Sequence, residues 1–97
     1  MRLITFNTGR PYGPTGQRIA VYVHDGKAHF QDFDRNLFGT VPIDPHIEGV
    51  FKVETLVMNA YDTGNFDTTY HPEGDQLLHL GWDECVSRAK QNNACLV

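Results

Sequence analysis

Apolar and polar residues alternate along three stretches in the first third of the chain, and each stretch predicts a β-strand. Residues 2–7 (RLITFN) show the alternation of a half-buried strand. Residues 17–24 (QRIAVYVH) and 27–34 (KAHFQDFD) flank the dipeptide Asp25-Gly26. Asp-Gly between two β-rich runs favours a two-residue type I′ turn, because both central residues of that turn need a positive φ. The pattern therefore predicts a first strand followed by a β-hairpin.

The two-residue turn also predicts the register of this hairpin. It pairs Val21 with Phe30, so these two residues share one face with Val23, and we expect that face to be the core side. The same register places Ile19 opposite Asp32, an apolar residue opposite a charged one. We expect a β-bulge or fraying of the strand near Asp32 to resolve this mismatch.

The next stretch predicts a further strand and then a helix start. Residues 36–43 (NLFGTVPI) are typical of a strand that has Pro42 at its end or on a sheet edge. Asp44-Pro45 is typical of a helix N-cap followed by a first-turn proline. Gly49 weakens an immediate helix, so the helix start could shift towards residue 50.

Two amphipathic helices are predicted in the second half of the chain. Apolar residues recur at steps of three and four from Phe51 to Tyr61, and this helix is expected to end near Asp62 with Gly64 as a left-handed cap. A second helix is expected to end at Asn92-Asn93, and its apolar stripe comprises Trp82, Cys85, Val86 and Ala89. The sequence therefore predicts a single α+β domain over residues 1–97, an antiparallel three- to four-stranded β-meander with two short helices packed on one face.

Charge is distributed unevenly along the chain. The net charge is −4, and residues 53–87 contain no Lys or Arg. Such a segment repels phosphate backbones and favours a basic protein surface, so we expect no direct contact with nucleic acid. No apolar run has the ~18 residues that a membrane span needs, and no secretory signal is recognised, so we expect a cytoplasmic protein. Cys85 and Cys95 are too few for a disulfide scaffold, and both are expected to be free thiols.

Catalytic and metal-binding chemistries find little support in the sequence. Asp62-Thr63-Gly64 matches the triplet of aspartic proteases, but it falls where a helix is predicted to end, and too little chain follows it. No pair of Cys or His residues has the spacing of a zinc site. Cys85 lies on a predicted buried stripe beside two acidic residues, which disfavour its thiolate. We therefore predict no metal, no cofactor and no enzymatic activity.

Aromatic residues lie among acids in the second half of the chain, a combination that protein interfaces use. The predicted interaction residues are Tyr61, Asp62, Phe66, Asp67, Tyr70, Glu73, Asp75 and Trp82. The alternative is a small enzyme or ligand-binding protein, with its site at the loop from Arg10 to Arg18 or around Asp32, Asp34 and Arg35. A homodimer in which the acids only provide solubility is a third alternative.

Three stretches, TFNTGRPYGPTGQRI, FQDFDRNLFGTV and VMNAYDTGNFD, resemble small accessory proteins of bacteriophages and plasmids. The resemblance spans most of the chain but includes no motif with a known chemistry. It implies a protein that binds and blocks a host complex, as inhibitors of CRISPR or restriction complexes do. The leading prediction is therefore a small, acidic, non-enzymatic protein-binding module that contacts a basic surface of a host protein through residues 53–87.

Overall fold

The chain forms a four-stranded antiparallel sheet with helices of 14 and 15 residues. The computed structural model describes residues 2–10, 16–44, 46–47, 49–72, 74 and 79–96, with side chains from residue 3 to residue 91 within those ranges. The strands are β1 (Arg2–Asn7), β2 (Arg18–His24), β3 (Lys27–Asp32) and β4 (Leu37–Pro42), and the helices are α1 (Val50–Thr63) and α2 (Trp82–Leu96). The strand order is β1-β2-β3-β4, which confirms the predicted α+β fold with a β-meander.

The hairpin of β2 and β3 has the predicted turn and register. Asp25 and Gly26 have φ angles of 51° and 74°, the left-handed values that a type I′ turn requires. Val21 pairs with Phe30 across the two strands. Both side chains are fully buried on one face of the sheet, so this face is the core side that the pattern predicts.

The ladder continues without a bulge to the pair of Ile19 and Asp32, so the predicted bulge or fraying is wrong. Both residues are fully buried. A buried carboxylate is tolerated when hydrogen-bond donors surround it, and four donors meet Asp32 in this fold. Side-chain partners, not a backbone irregularity, therefore resolve the mismatch.

Helices α1 and α2 pack on opposite faces of the sheet, whereas the sequence predicted both on one face. On the first face, called the α1 face below, Val53 and Val57 belong to a core with Ile4, Ile19, Val21, Ala28, Phe30, Val41 and Ile43. On the second, the α2 face, Cys85 and Ala89 pack with Leu3, Ala20 and Tyr22. Successive residues of a strand point to opposite faces, and the centre of β2 is apolar on both, so each face needs its own cover.

The Asp62-Thr63-Gly64 triplet is the end of α1, as predicted. Gly64 is the C-cap in the left-handed conformation, with φ 74°, and its N–H donates to the carbonyl of Tyr61. Asp62 is bound by the guanidinium of Arg10. The triplet is therefore a helix terminus in this chain.

The other helix boundaries differ in part from the prediction. α1 begins at Val50, after Gly49, so Asp44 does not cap it; the Asp44 carboxylate instead accepts a hydrogen bond of 2.9 Å from the backbone N–H of His46. Pro45 lies outside the described residues. α2 continues to Leu96, past the predicted end at Asn92-Asn93. In the described part of the chain, no helix is both long and apolar enough to cross a membrane.

The segment after α1 passes around the edge of β4, from the α1 face to the α2 face. Phe66 packs against the core of the α1 face. Asp67 then pairs with Thr40 at the edge of β4, through two backbone hydrogen bonds of 2.8 Å. His71 lies on the α2 face, with its ring centroid 5.6 Å from that of His29. This crossing brings residues 68–71 and Gly74 over the part of the α2 face formed by β3 and β4.

Gly39 makes room for the crossing. A Cβ atom at this position would lie 2.4 Å from the Phe30 ring and 2.6 Å from the Phe66 ring. Both distances are far below van der Waals contact, so only glycine lets the two rings meet above β4 in their present edge-to-face arrangement.

Candidate functional site

A cavity of about 270 Å³ lies on the α2 face, between the strands β3 and β4 and the segment that crosses the edge of β4. We call it the histidine cup, and its main lining residues are His29, Phe38, Thr40, Tyr70, His71 and His79. His29 and Thr40 are paired across β3 and β4, and Phe38 lies two residues before Thr40 on the same face. His29 and Thr40 form the floor, Phe38 lies at the mouth, and residues 68–71 with Gly74 form the wall.

The floor is tightly packed around His29. This side chain is 2% exposed, and its Nδ1 lies 3.1 Å from the hydroxyl of Thr40. A Cβ atom at Gly74 would lie 2.5 Å from the ring of His29, so the absence of a side chain lets the wall lie directly on the imidazole. The hydroxyl and the imidazole are thereby held as buried polar groups on the floor of the cavity.

Asp67 holds the wall in position. Its carboxylate accepts a hydrogen bond of 2.8 Å from the backbone N–H of Thr69, and the second oxygen lies 3.3 Å from Nε2 of His71. The hydrogen bonds from Thr69 and then His71 lower the pKa of Asp67 to about 2. Asp67 is therefore ionised at neutral pH and places a fixed negative charge beside the cup.

The mouth of the cup is aromatic. Phe38 is 40% exposed and Tyr70 is 68% exposed, although both line the cavity. Large exposed apolar side chains are informative where they surround a concave site. The cup thus combines two aromatic rings at its opening with imidazole and hydroxyl groups inside.

The predicted interaction residues are distributed over both faces of the sheet and the edge of β4. Tyr61 and Phe66 stack with ring centroids 6.2 Å apart and pack against the core of the α1 face. Asp67 lies at the edge of β4, and Tyr70 lies at the mouth of the cup. Trp82 begins α2, on the other face from Tyr61. The structure brings Tyr61 and Phe66 together, and Glu73 and Asp75 lie outside the described residues.

Members of the alternative site form a buried polar cluster with Tyr61. The Asp32 carboxylate accepts hydrogen bonds of 2.8 Å from the amide of Gln17 and 2.7 Å from the hydroxyl of Tyr61. Its other oxygen accepts from the backbone N–H groups of Asp34 and Arg35. Burial raises the pKa of Tyr61 above its ordinary value, so its hydroxyl remains a donor at neutral pH.

Three further charged residues of the alternative site, Arg10, Arg18 and Asp34, make ion pairs within the chain. Arg10 contacts both carboxylate oxygens of Asp62, at 2.7 and 2.8 Å, and this contact lowers the pKa of Asp62. Arg18 pairs with Asp34 at 3.1 Å, and its guanidinium lies 5.9 Å from the ring centroid of Trp82. Each pair links residues at least 16 positions apart in the sequence. The pair of Arg10 and Asp62 is largely exposed, whereas the pair of Arg18 and Asp34 is part-buried.

Sequence reasoning missed the histidine cup. In the predicted hairpin register, His29 and Phe30 lie on opposite faces of the sheet. This register could have indicated a polar site on the face of His29. Nothing in the local pattern indicates that His71 returns to that face after crossing β4. Among the described residues, no group of three or more His, Cys, Asp or Glu side chains is arranged to hold a metal ion.

Comparisons with known proteins give no functional lead, because no family model, no curated protein and no solved structure matches the chain significantly. The residues of the chain and their geometry therefore have to carry any functional inference.

Proposed function

We propose that this chain is a non-enzymatic protein-binding module whose partner inserts one side chain into the histidine cup. The observation that carries the proposal is a cavity of about 270 Å³ with Phe38 and Tyr70 exposed at its mouth. Interfaces gain most of their binding energy from a few anchor side chains that fill pockets, and tyrosine is enriched among such hot spots.

The size of the cup favours a single side chain as its occupant. Sites for drug-sized ligands have volumes of roughly 300–1,000 Å³, and the cup lies just below that range. About nine water molecules occupy the same volume in liquid water. One large side chain from a partner fits such a space, while the rest of the partner contacts the surface around it.

The experiment compares two exposed aromatic residues on different faces of the sheet. Tyr70 is 68% exposed at the cup, and Phe51 is 78% exposed on α1, away from it. The tagged chain is used to recover partners from bacterial lysate at low and high salt. The partner is then purified, and its affinity is measured for the wild type, Tyr70→Ala and Phe51→Ala.

We expect Tyr70→Ala to weaken binding about 30-fold, which corresponds to a hot-spot loss of about 2 kcal/mol. Phe51→Ala should bind like the wild type. Both side chains are largely exposed, so neither change should unfold the chain, and circular dichroism checks this. Wild-type affinity for Tyr70→Ala, or failure to recover any partner at either salt concentration, would contradict the proposal. A loss confined to Phe51→Ala would move the contact to α1.

The identity of the partner stays a prediction. The resemblance to accessory proteins of mobile elements makes a host protein complex the expected partner, and inhibition of that complex the expected effect. The acidic composition of residues 53–87 favours a basic surface on the partner. An affinity that falls as salt is raised would support this electrostatic part of the proposal.

A further inference from the structure

We infer that the side chain accepted by the histidine cup is a basic one, and that arginine fits it best. This inference rests on the proposed function, because it names the anchor that the same site would take. It follows from the fixed charges at the cup, from the rings at its mouth and from the hydrogen-bonding groups of its floor.

The fixed charge at the cup is negative. Asp67 carries a carboxylate beside the wall, bound to Thr69 and His71, and the lining residues described for the cavity include no Lys or Arg. The imidazole of His71 is paired with this carboxylate, so the pair has no net positive charge even when the imidazole is protonated. A cationic side chain is therefore attracted, whereas an acidic side chain would meet a like charge with no fixed cation to offset it.

The mouth suits a cation that can also stack. A guanidinium or ammonium group over an aromatic face is attracted by the ring quadrupole, and Phe38 and Tyr70 offer two rings at the opening. A guanidinium is planar and weakly hydrated, so it stacks on aromatic rings more readily than an ammonium group does. This favours arginine over lysine.

The floor offers an acceptor for the donors of a guanidinium. The hydroxyl of Thr40, which lies 3.1 Å from Nδ1 of His29, can accept a further hydrogen bond from a ligand. Arginine carries five N–H donors on a long apolar stem, so it matches both the polar floor and the aromatic mouth.

The test uses blocked amino acids as probes of the full chain. Nα-Acetyl-arginine amide, the corresponding citrulline, lysine, glutamate and tryptophan derivatives are titrated while the NMR signals of His29, His71 and Tyr70 are followed. Citrulline has nearly the shape of arginine without its charge, which makes it the matched control. We expect arginine to perturb these signals with an affinity about tenfold higher than citrulline, and glutamate to leave them unchanged.

Two variants at Tyr70 separate stacking on the ring from simple contact. Tyr70→Phe keeps the aromatic face and should retain arginine binding, whereas Tyr70→Leu keeps an apolar side chain without the ring quadrupole and should lose most of the preference over citrulline. The residue is 68% exposed, so both variants should fold. Equal binding by the two variants would overturn the stacking part of the inference.

The outcomes distinguish failure of the inference from failure of the proposed function. Binding of tryptophan or citrulline that equals or exceeds binding of arginine would overturn the basic anchor but leave the cup as an anchor site. Perturbation by glutamate alone would overturn the charge argument. If none of the probes shifts the signals of the cup residues, and Tyr70→Ala also leaves partner binding unchanged, both the inference and the proposed function fail.

Discussion

Replacing Asp32 by Asn should destabilise the fold by about 2 kcal/mol, although the two side chains have nearly the same shape. The single amide oxygen of the new asparagine can still accept from the backbone N–H groups of Asp34 and Arg35. The amide nitrogen would then face two donors, the Tyr61 hydroxyl and the Gln17 amide. The hydroxyl can rotate and accept, but the amide of Gln17 is held by the hydroxyl of Thr8, which donates to its oxygen at 2.9 Å.

The magnitude follows from the number of bonds lost. Hydrogen bonds to a charged group contribute about 1.5–3 kcal/mol each. Asp32→Asn loses one bond whichever way the Gln17 amide points, because a flip that satisfies the new amide removes the acceptor of the Thr8 hydroxyl. Asp32→Ala removes all four acceptor contacts and leaves the Gln17 amide buried and three part-buried donors without their acceptor, which should cost about 4 kcal/mol, as removal of one partner from a buried charged network does. With a melting temperature that shifts by roughly 4–8 °C per kcal/mol for a chain of this size, Asp32→Asn should melt about 8–16 °C below the wild type.

Urea denaturation followed by circular dichroism measures these free energies of unfolding, with Asp62→Asn as the matched control. Asp62 also accepts two hydrogen bonds, from Arg10, but its side chain is 45% exposed. An exposed ion pair contributes about 0–1 kcal/mol, so the control should lose no more than that. If Asp32→Asn is as stable as Asp62→Asn, the buried carboxylate does not stabilise the fold in the way described.

A second substitution at Gln17 tests the pairing directly. In the Asp32→Asn background, Gln17→Glu supplies a carboxylate that accepts from the new amide and from the hydroxyl of Thr8, so it restores the bond with the roles of the two side chains exchanged. In the wild-type background the same change puts two carboxylates together in a buried site. We expect the double variant to be more stable than the sum of the two single effects by about 1–3 kcal/mol, and simple additivity would contradict direct contact.

Three further predictions concern other parts of the fold. Gly39→Ser should cost about 1–3 kcal/mol through overpacking against two phenylalanine rings, whereas Gly81→Ser, where a Cβ meets nothing within 4 Å, should be nearly neutral in the same denaturation assay. Asp67, whose pKa is lowered to about 2, stabilises the folded chain above the ordinary carboxyl pKa of about 3.9. This stabilisation is lost as pH falls through about 2, so the difference in melting temperature between the wild type and Asp67→Asn should shrink across that window; a constant difference would refute the reasoning. Cys85 is fully buried, and burial raises the pKa of its thiol, so in a Cys95→Ser background it should react with a thiol reagent only as fast as the chain unfolds, and rapid reaction of the native protein would contradict its burial.

Local signals predicted the strands, the hairpin and the end of α1, because turn chemistry and periodicity depend on residues close in sequence. The positive φ angles of Asp25 and Gly26, and the left-handed cap at Gly64, are of this kind. The distribution of the helices over two faces depends instead on the whole sheet. The run IAVYV in β2 is apolar at successive positions, which is the pattern of a strand covered on both faces. The prediction nevertheless placed both helices on one face of the sheet.

The partners of the predicted site residues could not be predicted locally. Asp32 is bound by Gln17, 15 residues away, and by Tyr61, 29 residues away. Arg10 and Asp62 are separated by 52 positions. The sequence marked Arg10, Asp32, Tyr61 and Asp62 only as candidates for a ligand site or an interaction surface, because whether such groups are exposed or mutually paired depends on the tertiary fold.

The geometry ties protection of the sheet edge to the candidate site. An exposed edge strand can pair with other chains, and proteins cover such edges. Here Asp67 covers the middle of β4 through Thr40, and the same side chain holds Thr69 and His71 on the wall of the cup. A perturbation of the segment that crosses the edge of β4 should therefore loosen both the cover of this edge and the wall of the cup. The side chain of Gly39→Ser would meet the Phe30 and Phe66 rings on the α1 face, and the backbone of Gly39 also lines the cavity, so the change should weaken binding of arginine probes as well as stability. A variant that loses stability but binds the probes like the wild type would show that the edge contact and the cup are independent.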